Sequence, residues 1–161
     1  MKKSTISLLL LVTLGTAYDP KDLIELQTEH ECQMCDLSGA DLRNLDLTRA
    51  NLSESNLSGA NLSGADIRKV NFSNVDLSDA NLSGAVIKGA KFPEAKLYRV
   101  DFSHVRGWAA NFIDAKIDHC NFNSAALGGA KFGNNDLSNS TFKNAILWKT
   151  IFKNVKGIPE K

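Results

Sequence analysis

The chain has 161 residues, with 19 Lys and Arg against 18 Asp and Glu and a net charge of +1. So even a balance excludes the uniformly basic surface of a nucleic-acid binder. The 3 histidines, His30, His104 and His119, are scattered, and neither a Ser/His/Asp set nor a pair of carboxylates can be assembled around them.

At the amino end, Met1-Lys2-Lys3, an apolar run from Ile6 to Thr16 and the small residues Gly15-Thr16-Ala17 form the three regions of a bacterial secretory signal peptide, residues 1–17. The run is too short to favour a membrane span, and an uncleaved anchor is the minor alternative. Contact with a membrane is expected only through this segment before cleavage. Tyr18 rather than Cys follows Ala17, which argues against a lipoprotein. The expected location is the periplasm or the exterior, or the lumen of an internal membrane if the source is photosynthetic.

Residues 18–34 read as a cap and a junction. Asp19 can cap a helix, Pro20 suits its first position, Asp22 favours its positive end, and Leu23, Ile24 and Leu26 supply an apolar stripe. The pattern predicts a short helix over the open end of a repeat that begins near Leu37, keeping water off that residue and hiding a sheet edge. Next comes a CxxC, Cys32 and Cys35. Haem attachment would need His where Asp36 stands, zinc would need more ligands than His30 can add, and a redox motif would need a following helix. In an exported chain the favoured reading is a structural disulfide between Cys32 and Cys35 that pins the cap helix to the coil; zinc binding and thiol exchange are the alternatives. Cys120 stands far from both, at a small inward position, as a buried free thiol. No cofactor and no metal is expected.

From Leu37 to Phe152, every fifth residue is large and apolar: of these 24 positions 23 are Leu, Ile or Phe, Gly107 is the exception, and all 8 Phe of the chain fall in this register. A helix would smear a five-residue period around all its faces, and a flat strand would throw an odd period to alternate sides. Two residues before each large one stands a small one, such as Ala40, Ala60 or Val100, which points the same way along a short extended segment. The other three places carry Asp or Asn, then Ser, then Gly, Asn or a charge, as in Ala60-Asn61-Leu62-Ser63-Gly64. These are turn formers, so each unit is an inward segment plus a corner. Four corners close a square coil of about twenty residues whose turns stack at about 4.8 Å. That spacing predicts a ladder of Phe72, Phe92, Phe112, Phe132 and Phe152, with Phe102, Phe122 and Phe142 in a second. Gly157-Ile158-Pro159 ends the coil with little more than a turn, and 160–161 are a tail.

Units such as Ala40-Asp41-Leu42 and Ala80-Asn81-Leu82-Ser83-Gly84 resemble the pentapeptide-repeat family. The resemblance implies an all-β solenoid over about 35–159, a right-handed quadrilateral β-helix, to which the residues from Asp19 add a short amino-terminal cap helix. It also implies one rival function, since some members are DNA-like proteins that interact with type II topoisomerases. Those are strongly acidic and dimerise through a carboxyl-terminal helix, whereas this chain is near neutral and lacks such a helix.

The many Ser belong to one repeat position and read as turn residues, and the Asn-x-Ser/Thr triplets are by-products of the repeat. Charge is uneven: residues 18–87 hold 5 Lys and Arg against 12 Asp and Glu, and residues 88–161 hold 12 against 6, giving −7 and +6. Either this polarity orients a partner or it is drift among solvated positions. Trp108 and Trp148 share one outward column with Gly128 between them, and Val86, Ala126 and Ile146 stand where Asp or Asn is usual. Large apolar residues at outward places mark a contact surface. The competing reading is that Trp108 folds over the gap at Gly107. Together these features predict a non-enzymatic, exported, rigid scaffold of the bacterial envelope. It would bind a protein partner, a second copy of the chain being one candidate, through Val86, Trp108, Ala126, Ile146 and Trp148. No nucleic acid is expected as a partner. A topoisomerase-interacting protein and a thiol-disulfide active protein are the rivals.

Overall fold

A computed structural model describes residues 18–159; the expected signal peptide, 1–17, and the last two residues lie outside them. The unit 56–60 shows how five residues make one side of the coil. Asn56 N–H donates to Cys35 O of the coil before (2.9 Å), while Leu57 and Gly59 donate to Asp76 O and Ser78 O of the coil after (2.7 and 2.8 Å). Ala60 N–H closes a turn on Leu57 O at 3.0 Å. The remaining N–H, of Ser58, points out at the corner and is taken by the Asn56 side-chain oxygen at 3.1 Å. All five backbone donors are thereby satisfied, as a buried scaffold requires. The same accounting explains the composition. Asp or Asn precedes the large residue because it caps the corner N–H, as Asp36 does for Ser38 and Asn81 for Ser83. Gly, Asn or Asp follows two places later because that residue takes φ near +60°, as in Gly39, Asn44 and Asp79; a turn of this type requires a left-handed third residue.

Residues twenty apart pair in parallel along the coil, from Glu31↔Asn51 through Asn56↔Asp76 to Asp136↔Lys156. Most sides contribute one bridge, because a corner follows at once. Four sides lengthen into short strands: β1 (Lys96–Tyr98) pairs with β2 (Lys116–Asp118), and β3 (Lys131–Gly133) with β4 (Ile151–Lys153). After β2 the turn opens, and Cys120 N–H, which elsewhere would close it, donates to the Ser140 hydroxyl at 3.1 Å. The result is a right-handed quadrilateral β-helix of about six coils, about 28 Å long at ladder spacing.

The core is four columns of inward side chains. Phe72, Phe92, Phe112 and Phe132 stack nearly parallel with centroids 5.0, 4.8 and 4.9 Å apart, and Phe152 continues the column at 5.5 Å. Phe102, Phe122 and Phe142 form the second stack at 4.8 and 4.7 Å. Rings of the two stacks meet edge to face, Phe112 against Phe102 and Phe122 at 5.7 Å each, the geometry that the ring quadrupole favours.

Helix α1 (Pro20–Glu29) closes the amino end. The Asp19 carboxylate accepts Lys21 N–H, and His30, left-handed at φ 57°, ends the helix by donating to Leu26 O. The expected stripe is narrower than three residues: Leu26 is fully buried and Leu23 half-buried, while Ile24 is 41% exposed. Leu23 and Leu26 are three apart and share the face on the coil; Ile24 lies about 100° round from Leu23. Asp22 does more than favour the helix end. Its carboxylate accepts Asp36 N–H at 2.6 Å, and Asp19 N–H donates to Asp36 O at 3.0 Å, so α1 supplies the pairing that a preceding coil would have given. Pairing starts at Glu31, one unit earlier than the run of large residues suggests, because Cys32 fills the large inward place and Cys35 the small one.

Candidate interaction face

One side of the coil is centred on Leu47, Ile67, Ile87, Gly107, Leu127 and Leu147. The residue before each centre reads Asp46, Asp66, Val86, Arg106, Ala126 and Ile146, all bridged twenty apart from Asp46 to Ile146. The residue after each centre reads Thr48, Arg68, Lys88, Trp108, Gly128 and Trp148. The face thus changes along the axis from charged to apolar. At the charged end the Arg68 guanidinium meets Asp66 at 2.6 Å and holds its carboxyl below the usual carboxylate range. At the apolar end Val86, Ala126 and Ile146 have no oxygen with which to cap the corner N–H, so these units give up the side-chain bond that stabilises a regular corner. Arg106 in this column, and Lys91, Lys96, Lys116, Lys131 and Ile151 in others, lack such an oxygen too; what sets this column apart is that three of its four replacements are apolar and stand beside two tryptophans.

The tryptophans touch. Their ring centroids are 6.3 Å apart at 64°, and Lys149 Nζ lies 4.2 Å from the Trp148 ring centre. Trp108 lies across Gly128, where an added Cβ would stand 2.2 Å from its Cζ3, so only glycine lets the indole lie down here. The inward place left by Gly107 is filled from within by Leu127 and Ile87, 2.8 and 3.1 Å from the place a Cβ would take. Trp108 stays 42% exposed, Ile146 54% and Trp148 60%, while Val86, one coil before Trp108, and Ala126, one coil after it, are half-buried.

The sequence reading missed the charged end of this face. Arg49, Arg68, Lys69 and Lys88, with His30, Asp46 and Thr48, line a shallow hollow of about 480 Å³. Its signal lay in the twenty-residue offsets from Arg49 to Lys69 and from Arg68 to Lys88.

Cys32 and Cys35 are joined, with Sγ atoms 2.05 Å apart, and are buried. The bond spans the two ends of one corner of the first coil, rather than linking α1 to it. Between the same two residues sits Ser55, whose hydroxyl donates to Cys32 O and accepts Cys35 N–H. The Asp22 carboxylate on Asp36 N–H and Asp19 N–H on Asp36 O tie α1 to the coil, and Cys32 Sγ packs 3.1 Å from Asp22 O. Cys120 is buried with its thiol donating to Leu97 O at 3.2 Å, and burial pushes that thiol up to about 12. Among the described residues, no group of three or more His, Cys, Asp or Glu is placed to hold a metal ion.

The family model described as "Pentapeptide repeats" matches in 8 copies, over residues 35–74, 68–104, 110–148 and 120–156. Among solved structures the chain is similar to the pentapeptide repeat protein Rfr23 from the cyanobacterium Cyanothece 51142, with 22% identity, 84% of this chain and 97% of that one covered, and a TM-score of 0.42. It is also similar to alr5209, a pentapeptide repeat protein from Nostoc PCC 7120, at 28% identity over 80% of this chain and 100% of that one, with a TM-score of 0.46. QnrB1, a plasmid-mediated fluoroquinolone resistance protein, matches at 20% identity over 78% of this chain and 79% of that one, with a TM-score of 0.48. No curated protein matches this chain.

Proposed function

Because the chain belongs to the pentapeptide-repeat family, whose fold builds a rigid surface and no evident reaction centre, we propose that it is a non-enzymatic exported scaffold that binds a protein partner through Val86, Trp108, Ala126, Ile146 and Trp148. One observation carries this reading: Trp108, Ile146 and Trp148 remain 42 to 60% exposed on a single face, at places where the units of residues 36–85 mostly put Asp, Asn or Ser. A face already fixed by backbone pairing on both sides loses little conformational entropy on binding. Exposed tryptophans beside aliphatic residues are the composition of interface hot spots. The basic, apolar and small-residue regions of 1–17 support export, and an oxidising compartment suits Cys32 and Cys35. The duplex-imitating alternative needs an acidic surface, which a basic carboxyl-terminal half does not provide.

Fractionation of the native source tests the location: the mature protein, starting at Tyr18, should be recovered outside the cytoplasm, and full-length cytoplasmic protein would refute export. Trp148→Ala tests the face. It should weaken a purified partner, or self-association, by at least about 2 kcal/mol while the circular dichroism spectrum stays that of the parent. Unfolding of the last coils, or unchanged binding, would show that the tryptophans are local covers.

A further inference from the structure

The apolar half of this face is continuous with the basic corner. Residues twenty apart stack at about 4.8 Å along the backbone, so Arg68 neighbours Lys88 and Arg49 neighbours Lys69, and all four exposed side chains line one hollow. Like charges gathered at one corner repel one another. Among the described residues, only Arg68 of the four has a carboxylate partner, Asp66. The segment 18–87 carries a charge of −7, yet three of its 5 cations, Arg49, Arg68 and Lys69, stand at this one corner. From there the column after the large residue runs straight on through Lys88 to Trp108 and Trp148.

We propose that this face binds one extended acidic segment of a protein partner. Its carboxylates lie against Arg49, Arg68, Lys69 and Lys88, and its apolar residues lie against Trp108 and Trp148. The inference rests on the reading of the tryptophan face as a contact surface and names what that surface selects. Arg68 and Trp148 are four coils apart, about 19 Å, which an extended chain covers in about six residues. Lys88 and Trp108 are neighbours. The matching ligand therefore carries two to four acidic residues, with large apolar ones beginning within about six positions. A nucleic-acid strand fits less well: the cations span only about 10 Å of the axis, Asp46 and Asp66 flank them, and phosphates further along would meet Trp108 and Ile146.

The test uses fluorescence anisotropy on the full mature chain, with a labelled peptide of four glutamates, a Gly-Ser spacer and four alternating Leu and Phe. Its counterpart with lysines for glutamates and a labelled oligothymidylate are the controls. The acidic peptide should bind, more weakly as ionic strength rises, and the lysine peptide should not. Lys69→Glu with Lys88→Glu, both exposed and outside the core, should weaken binding at least tenfold. Lys69→Ala with Lys88→Ala should weaken it less and serves if the reversal disturbs folding. Trp148→Ala should weaken it as well. Loss with Trp148→Ala but none with either lysine pair would overturn the acidic selection and leave the contact face standing. No loss with any variant would overturn both. Tighter binding of the oligothymidylate, or sedimentation showing the face occupied by a second copy, would overturn the proposed partner.

Discussion

Phe112→Ala removes a ring that is 0% exposed and lies between Phe92 and Phe132 at 4.8 and 4.9 Å, with Phe102 and Phe122 meeting its edges at 5.7 Å. Truncating a buried Phe costs about 3–5 kcal/mol, and four ring contacts worth about 0.5–1.5 kcal/mol each place this site at the upper end, about 5 kcal/mol. Phe152 supplies the internal comparison. It is half-buried and keeps one stacking neighbour at 5.5 Å, so Phe152→Ala should cost only about 1–2 kcal/mol. Equilibrium unfolding in guanidinium, followed by circular dichroism, reads both. In a solenoid each coil touches only its neighbours, so the central lesion should also broaden the transition as the two halves uncouple. Equal costs at the two sites, or a Phe112→Ala cost below about 2 kcal/mol with an unchanged slope, would refute the stacked-column account; a mainly helical spectrum would refute the fold.

Reduction of the Cys32–Cys35 bond should lower stability by only about 2 kcal/mol, since it closes a loop of four residues; thiol blocking without reductant, then mass spectrometry, should find both cysteines unmodified, and their alkylation would remove the bridge. Cys120 should resist iodoacetamide at pH 8 in the native protein. Its thiol is neutral in the fold up to about 12 but ionises near 9 when unfolded, so its contribution to stability is complete below 9 and is lost as pH climbs towards 12. Melting curves between pH 9 and 11 on the parent and on Cys120→Ala should separate that contribution; identical slopes would refute it. At the acid side, bonds donated by Arg43 to Asp41, by Arg68 to Asp66 and by Ser138 to Asp136 hold these carboxyls below the ordinary 3.8. Their contribution is complete above that value and is lost as pH falls through and below it, so the melting temperature should be flat from pH 7 to 5 and drop below about 4; a flat profile down to pH 2.5 would refute it.

The coil was legible because its period is strict and its chemistry repeats: Leu, Ile and Phe every fifth residue, small partners two places earlier, turn formers between. The Phe columns followed from arithmetic alone. What the sequence hid were contacts set by register across coils rather than by neighbours along the chain. Asp22 looks like a helix-end charge until the fold brings it to Asp36. Ser55 looks like one more turn serine until its hydroxyl meets Cys32 and Cys35, twenty or more residues away. Asn135 likewise stands in a small inward place with no local reason, and its amide donates to Phe112 O and Ala115 O one coil back. On the candidate face, Trp108 and Trp148 were visible as misplaced apolar residues. That Trp108 lies down over Gly128 was not, because that contact joins residues twenty apart and is made by the stacking of coils.

The unbroken twenty-residue register also sets an angular scale. Losing one five-residue unit between Trp108 and Trp148 would leave both halves of the rod well formed yet rotate everything downstream by a quarter turn, sending Trp148 to a different side from Trp108. Losing twenty would shorten the rod by one coil and leave every side chain facing as before. The orientation of any surface that spans coils is therefore counted out in residues along the chain: a change in length reads as a twist unless it comes in whole coils, and this face holds its alignment with no contact devoted to keeping it.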